Sequence, residues 1–127
     1  MRAQLRNQLR RGAVWTIMHG LPVRFDGEAA RDLDTVIEVR IRAAAAANGV
    51  SSDCYELAIA HGRCRVRHRP SPRAAVTVTV GGADLVRLAA RTAAWPQLLG
   101  AGRLQLAGDP FLALRFPTLF RLPAKLS

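Results

Sequence analysis

Cysteine, lysine and acidic side chains are scarce in this chain, and each shortage excludes something. Two cysteines in 127 residues cannot build the disulfide framework of a small secreted scaffold, so an apolar core must hold the fold. No apolar run approaches the ~18 residues that a membrane span needs. The Arg-bearing start followed by Ala13-Val14-Trp15-Thr16-Ile17-Met18 imitates a signal peptide. His19 interrupts that core and no small-residue cleavage site follows, so the segment reads as part of the mature protein. A Gly-x-Ser-x-Gly elbow, a phosphate loop, His-Glu-x-x-His and Cys-x-x-Cys are all missing. Without convergent polar groups the expectation is a protein that is not an enzyme and that uses no cofactor or metal.

Half of the residues are apolar and 22% are charged, the balance of a globular chain, and 127 residues make a single domain with one core and room for one pocket. Against nine acidic residues stand nineteen basic ones, eighteen of them Arg, for a net charge of +10. A GC-rich genome would explain the preference for Arg over Lys without any selection for binding. The charge excess itself calls for partners or for tolerance.

Residues 1–20 space Arg2, Arg6 and Arg10 beside Leu5, Leu9, Ala13 and Ile17, as a basic amphipathic helix would. Such a helix either lies on anionic lipid or packs its apolar stripe on the domain, and the second use is the commoner. Gly20, Pro22 and Gly27 mark a connection, with Asp26 or Glu28 starting a turn. Leu33 to Arg42 reads as a strand with Thr35, Ile37, Val39 and Ile41 on one face and Asp34, Glu38, Arg40 and Arg42 largely on a wet one. Ala43 to Ala47 extends a strand or forms a helical turn, and 48–53 reads as a loop.

The pair His61-Gly62 has the length of a two-residue hairpin loop, and counting outward from it fixes a register. Ala60 then opposes Arg63, Ile59 opposes Cys64, Leu57 opposes Val66 and Tyr55 opposes His68, the last three pairs sharing the apolar face. On the other face Glu56 opposes Arg67 and Ala58 opposes Arg65. Cys54 and Cys64 therefore point to opposite sides and cannot pair, which agrees with a reducing, cytoplasmic compartment. Pro70-Ser71-Pro72 is a loop, and Ala75 to Val80 alternates as a fourth strand.

Asp84 is read as the N-cap of a helix that ends before Trp95; a turn restarts at Pro96 and closes at Gly100 and Gly102. Arg103-Leu104-Gln105-Leu106 alternates as a fifth strand, and Gly108-Asp109-Pro110 breaks it into a last helix that Asp109 caps. Five strands with one apolar face, followed by apolar helices, give an α+β fold: a mainly antiparallel sheet with helices covering one face.

Gly102, Arg103, Leu104, Leu106, Gly108 and Asp109, together with the upstream Tyr55-x-Leu57-x-Ile59-x-x-Gly62 hairpin, resemble the sterol carrier protein type 2 family, whose strand runs Gly-Lys-Leu-x-Ile-x-Gly-Asp; Arg103 stands for the usual Lys. The likeness spans roughly residues 33–120 and is that of a small bacterial stand-alone member. Ala124-Lys125-Leu126 looks like the peroxisomal tripeptide of eukaryotic members, but Ser127 follows it, so it is not read as an address. The resemblance implies a hydrophobic tunnel between sheet and helices within residues 33–122, and non-catalytic binding and transfer of a sterol, fatty acyl chain or isoprenoid lipid. A second implied role is an accessory factor presenting a lipid or quinone precursor to a biosynthetic assembly.

Candidate lining residues are Ile37, Val39, Leu57, Ile59, Val66, Val78, Leu88, Trp95, Leu98, Leu104, Phe111, Leu114 and Phe116, with tunnel and plain core not separable among them. Tyr55 and His68 could hold a polar head at the end of an apolar pocket, or His68 could simply reach water past the sheet end. Period two places Arg63, Arg65, Arg67 and Arg69 in one row on the wet face, as a docking surface for anionic lipid head groups, nucleic acid or an acidic partner such as an enzyme, or as a solvated face. Nucleic acid ranks lowest, since no aromatic residues interleave with the arginines to stack bases. Oligomeric state is open.

Overall fold

The computed structural model describes residues 2–42 and 52–125, with side chains described from residue 10 onward except at 11 and 52. The expected readings of 43–51, and of the faces of Arg2, Leu5, Arg6 and Leu9, lie outside the described residues and side chains. In chain order the elements are α1 (Arg2–Arg24), β1 (Thr35–Arg42), β2 (Ser52–Ala60), β3 (Arg63–Arg67), β4 (Val76–Gly81), α2 (Gly82–Ala89), α3 (Trp95–Gly100), β5 (Leu104–Gly108) and α4 (Pro110–Leu119). Ser52 and Asp53 begin β2 and are not loop.

The strands form one five-stranded sheet in the order β3-β2-β1-β4-β5. Three pairings are antiparallel and one, β1 with β4, is parallel, so the sheet is mostly antiparallel. The β2–β3 register is the one counted from His61-Gly62: Ala60 faces Arg63, Ile59 faces Cys64 and Leu57 faces Val66. His61 and Gly62 both take positive φ, 54° and 70°, the type I′ geometry whose twist matches the flanking strands. The turn also touches the chain entering β1: a Cβ on Gly27 would sit 2.5 Å from the Gly62 carbonyl oxygen, so only glycine fits there. Asp26 does start the preceding turn, its Oδ1 accepting from the Ala29 N–H at 3.2 Å.

Alternation then decides the layers. Ile37, Val39, Ile41, Tyr55, Leu57, Ile59, Cys64, Val76, Val78, Val80 and Leu104 are all buried on the inner face, beneath the helices. The two cysteines are free, Cys64 on that inner face and half-buried Cys54 on the outer one.

Three further expectations are corrected. The connection placed at Gly20 to Gly27 is helical as far as Arg24, through Gly20 and Pro22, because Val14, Met18 and Leu21 make a buried stripe that carries the helix past the missing proline donor. The N-cap of α2 is Gly81, without a side-chain bond, and Asp84 sits inside the helix, drawn away by Arg87 and Arg103. Glu38, assigned to the wet face, is 1% exposed. The loop after β3 folds over it: the Ser71 N–H donates to Glu38 Oε2 at 2.6 Å and Arg40 Nε to Oε1 at 2.7 Å. Glu38 also stands directly opposite Glu56, a repulsive pairing that Arg40 and Arg69 offset from the two sides. Asp109 caps α4 as expected, its carboxylate accepting from the Phe111 and Leu112 N–H groups.

Candidate functional site

Between the inner sheet face and the helices lies an apolar cavity of ≈ 20 Å³. Its walls come from four directions: Met18 and Leu21 of α1, Val39, Val78, Val80 and Leu104 of the sheet, Leu85 and Leu88 of α2, and Phe116, Phe120 and Leu122 from α4 and the turn after it. Each contributor is there for a local reason. Met18 and Leu21 are one helical turn apart on the buried stripe of α1; the sheet residues obey period two; Leu85 and Leu88 share the inward face of α2. Ligand pockets for drug-sized molecules run to roughly 300–1,000 Å³. The cavity holds about one water-sized sphere, so side chains of the described residues nearly fill the space at this point between the layers.

Of the thirteen residues singled out from the sequence, Val39, Val78, Leu88, Leu104 and Phe116 line this cavity. Ile37, Leu57, Ile59 and Leu98 are buried in the same core without reaching its wall, and Val66 and Trp95 pack partly buried against that core. Phe111 and Leu114 face outward, 80% and 65% exposed. The wall residues not anticipated are Met18, Leu21, Val80, Leu85, Phe120 and Leu122. Val80 and Leu85 follow the same alternation and helical spacing as their named neighbours, and that pattern could have found them. Met18, Leu21 and Leu122 come from segments remote in sequence, and no local pattern brings them together.

Tyr55 and His68 do meet. Their rings stack at 4.4 Å with 7° between planes, while His68 Nε2 lies 2.5 Å from Asp53 Oδ1. His19 of α1 turns its ring edge-on to Tyr55 at 6.1 Å, and Trp15 stacks on His19 at 4.1 Å. The column pins α1 to the end of the β2–β3 hairpin. Burial pushes the Tyr55 phenol up to about 12. Burial likewise pushes the Cys64 thiol up to about 12, which makes it an inert core group.

The arginine row sits on the outer face, all four side chains exposed. Arg69 is committed to Glu56, its Nη2 donating at 2.9 Å, and that hydrogen bond holds the Glu56 carboxyl below its ordinary range. Arg63, Arg65 and Arg67 form no ion pair among the described residues. Among those residues no cluster of His, Cys, Asp or Glu could hold a metal ion, and no helix is long and apolar enough to cross a membrane.

A protein-family model, the SCP-2 sterol transfer family, matches residues 24–121. No curated protein matches the chain by sequence. Among solved structures, Sterol Carrier Protein 2 Like 2 from Aedes aegypti is 25% identical, with a TM-score of 0.68 over 86% of this chain and 97% of that one. The palmitated form of SCP2L2 from the same mosquito gives 21% identity and a TM-score of 0.66 over 87% of this chain and 93% of that one. The sec-alkylsulfatase Pisa1 from a Pseudomonas species gives 23% identity and a TM-score of 0.60, over 84% of this chain but only 16% of the enzyme.

Proposed function

Since the chain belongs to the SCP-2 sterol transfer family, we propose that it binds and transfers a hydrophobic ligand, a sterol, fatty acyl chain or isoprenoid lipid, between the inner sheet face and the helices. The reading rests on one observation: the space where α1, α2 and α4 converge on the sheet is lined by apolar side chains alone. An acyl chain with about a dozen buried methylenes would draw roughly 10 kcal/mol gross from leaving water, at about 0.8 kcal/mol each. That is enough to offset the ordering cost of binding and the displacement of a few side chains. Specificity is correspondingly loose.

Because the resident cavity is ≈ 20 Å³, entry requires side chains to move. Met18 and Leu21 on one side and Phe116 and Phe120 on the other are the mobile wall in this proposal, since they come from helices, while Val39, Val78 and Leu104 are fixed by the strand ladders. The protein acts as a carrier and not as a catalyst, with residues 1–127 working as one domain. Arg63, Arg65 and Arg67 dock it on an anionic membrane surface, where ~1 kcal/mol per basic residue is available.

Native mass spectrometry of freshly purified protein, with lipid extraction, tests the carrier role. The expected result is a stoichiometric apolar mass, or a thermal shift on adding palmitate, cholesterol or a quinone. A clean apo mass with no shift from any of them would overturn it. Replacing Arg65 and Arg67 by Gln should weaken retention on phosphatidylserine vesicles by roughly 30-fold, the worth of two such contacts, and leave ligand capture unchanged; loss of ligand capture would refute the division between docking face and pocket face.

A further inference from the structure

Apart from the apolar cavity, α2, α3 and the turns that follow them enclose a second, open groove of ≈ 430 Å³ lined by Asp84, Arg87, Thr92, Ala93, Gln97, Leu98, Ala101 and Arg103. It shares no wall residue with the apolar cavity. At its head stands a preorganised charge cluster. Asp84 Oδ1 accepts from Arg87 Nη1 at 2.7 Å and from Arg103 Nη2 at 2.6 Å, and Oδ2 accepts from Arg103 Nε at 3.1 Å. Arg42 joins from β1, its Nη2 donating to the Arg103 carbonyl at 2.9 Å.

Asp84 is 7% exposed, whereas the Arg87 and Arg103 side chains are about half exposed, 50% and 53%. The carboxylate is thus shielded while the guanidinium groups border the groove. Among the described residues, Arg103 commits its Nε–Nη2 fork to Asp84 and leaves Nη1, while Arg87 commits Nη1 and leaves its Nε–Nη2 fork. Two arginines against one aspartate leave the groove a charge of +1. A planar fork and a second donor from another side suit a tetrahedral dianion better than a carboxylate, which one fork alone would satisfy. The groove is also larger than a bare anion needs. Thr92 and Gln97 offer neutral polar groups and Ala93, Leu98 and Ala101 an apolar floor, as the carbon skeleton of an organic phosphate would require.

We propose that this groove binds the phosphate group of an organic phosphomonoester, with Arg87 and Arg103 as the phosphate ligands and Asp84 as the residue that positions them. The site is independent of the hydrophobic-ligand reading. The same chemistry could come from a soluble metabolite or from a lipid head group.

NMR titration of the full chain at constant ionic strength, with glycerol 3-phosphate in one arm and vesicles containing phosphatidic acid in the other, separates the two sources. Saturable shifts at Arg87, Thr92, Gln97 and Arg103 with the soluble probe assign a metabolite; the same shifts with vesicles alone assign a lipid head group. Arg87→Gln keeps the Arg103–Asp84 pair and loses only an i,i+3 bond to Asp84, so its melting temperature should fall by no more than a few degrees while affinity falls about tenfold or more, the loss of a charge-assisted contact. Arg65→Gln on the outer face should change neither the melting temperature nor the affinity for glycerol 3-phosphate. No shift at Arg87 or Arg103 beyond what sodium chloride produces in either arm, or an equal loss of glycerol 3-phosphate affinity in the Arg65 variant, would overturn the proposal.

Discussion

Replacing Phe120 by Ala separates a side chain that merely fills the core from one that occupies ligand space. Phe120 is 1% exposed, packs its ring 5.4 Å from Phe25 and 5.3 Å from Phe116, and forms part of the cavity wall. A buried Phe→Ala change costs about 3–5 kcal/mol, a large share of the roughly 5–15 kcal/mol that holds a domain folded. Some ~2 kcal/mol of that is lost transfer free energy. The remaining ~2 kcal/mol, at about 24 cal/mol per Å³, corresponds to on the order of 80 Å³ of void that fails to collapse. Added to the ≈ 20 Å³ already present, this approaches the size at which an apolar cavity takes up a small apolar guest.

The melting temperature should therefore fall by roughly 10–20 °C. If the ligand enters at Phe120, palmitate should restore more stability to the variant than it adds to the wild type, about 2.7 kcal/mol at a hundredfold excess over Kd. Urea unfolding with and without palmitate reads both numbers. A loss below ~1 kcal/mol would refute the packing argument, and an equal palmitate shift in both proteins would refute the assignment of Phe120 to the ligand's path. Phe120→Leu gives a milder step should the alanine variant unfold.

Gly108 has φ +110° and a Cβ there would meet the Ala75 carbonyl oxygen at 2.2 Å, so Gly108→Ala should lower urea-unfolding stability by more than ~1 kcal/mol, by prising β5 from β4; an unchanged midpoint would contradict it. Burial raises both thiols, Cys64 to about 12 and half-buried Cys54 also above its ordinary value. Iodoacetamide on the native protein should add one adduct at Cys54, and two only in denaturant; intact-mass analysis showing Cys64 modified first would exclude the buried placement. With its phenol held at about 12 against an ordinary 10, Tyr55 keeps its proton in the folded state over a range where the unfolded chain has lost it. Stability should accordingly decline as pH rises from about 10 to 12, and Tyr55→Phe should flatten that decline; a wild-type slope retained in the variant would assign it elsewhere.

Local chemistry in the sequence determined much of this protein. The His61-Gly62 turn and period-two alternation set the β2–β3 register and the opposite faces of Cys54 and Cys64, because a hairpin involves only neighbours in the chain. Asp109 followed by Pro110 made the start of α4 legible for the same reason.

Tertiary structure alone decided the rest. Asp84 has the sequence of a cap, but Arg103, 19 residues away, competes for its carboxylate and turns it into the hub of a charge cluster. Glu38 follows the exposed alternation of β1, yet a loop 33 residues on buries it. The size of the apolar cavity was equally hidden. Phe111 and Leu114 of α4 point to solvent, while Met18 and Leu21 arrive from the far end of the chain to fill the space. Whether a core is open or closed is a balance of side-chain volumes from distant segments, and close packing settles that balance only when the layers meet.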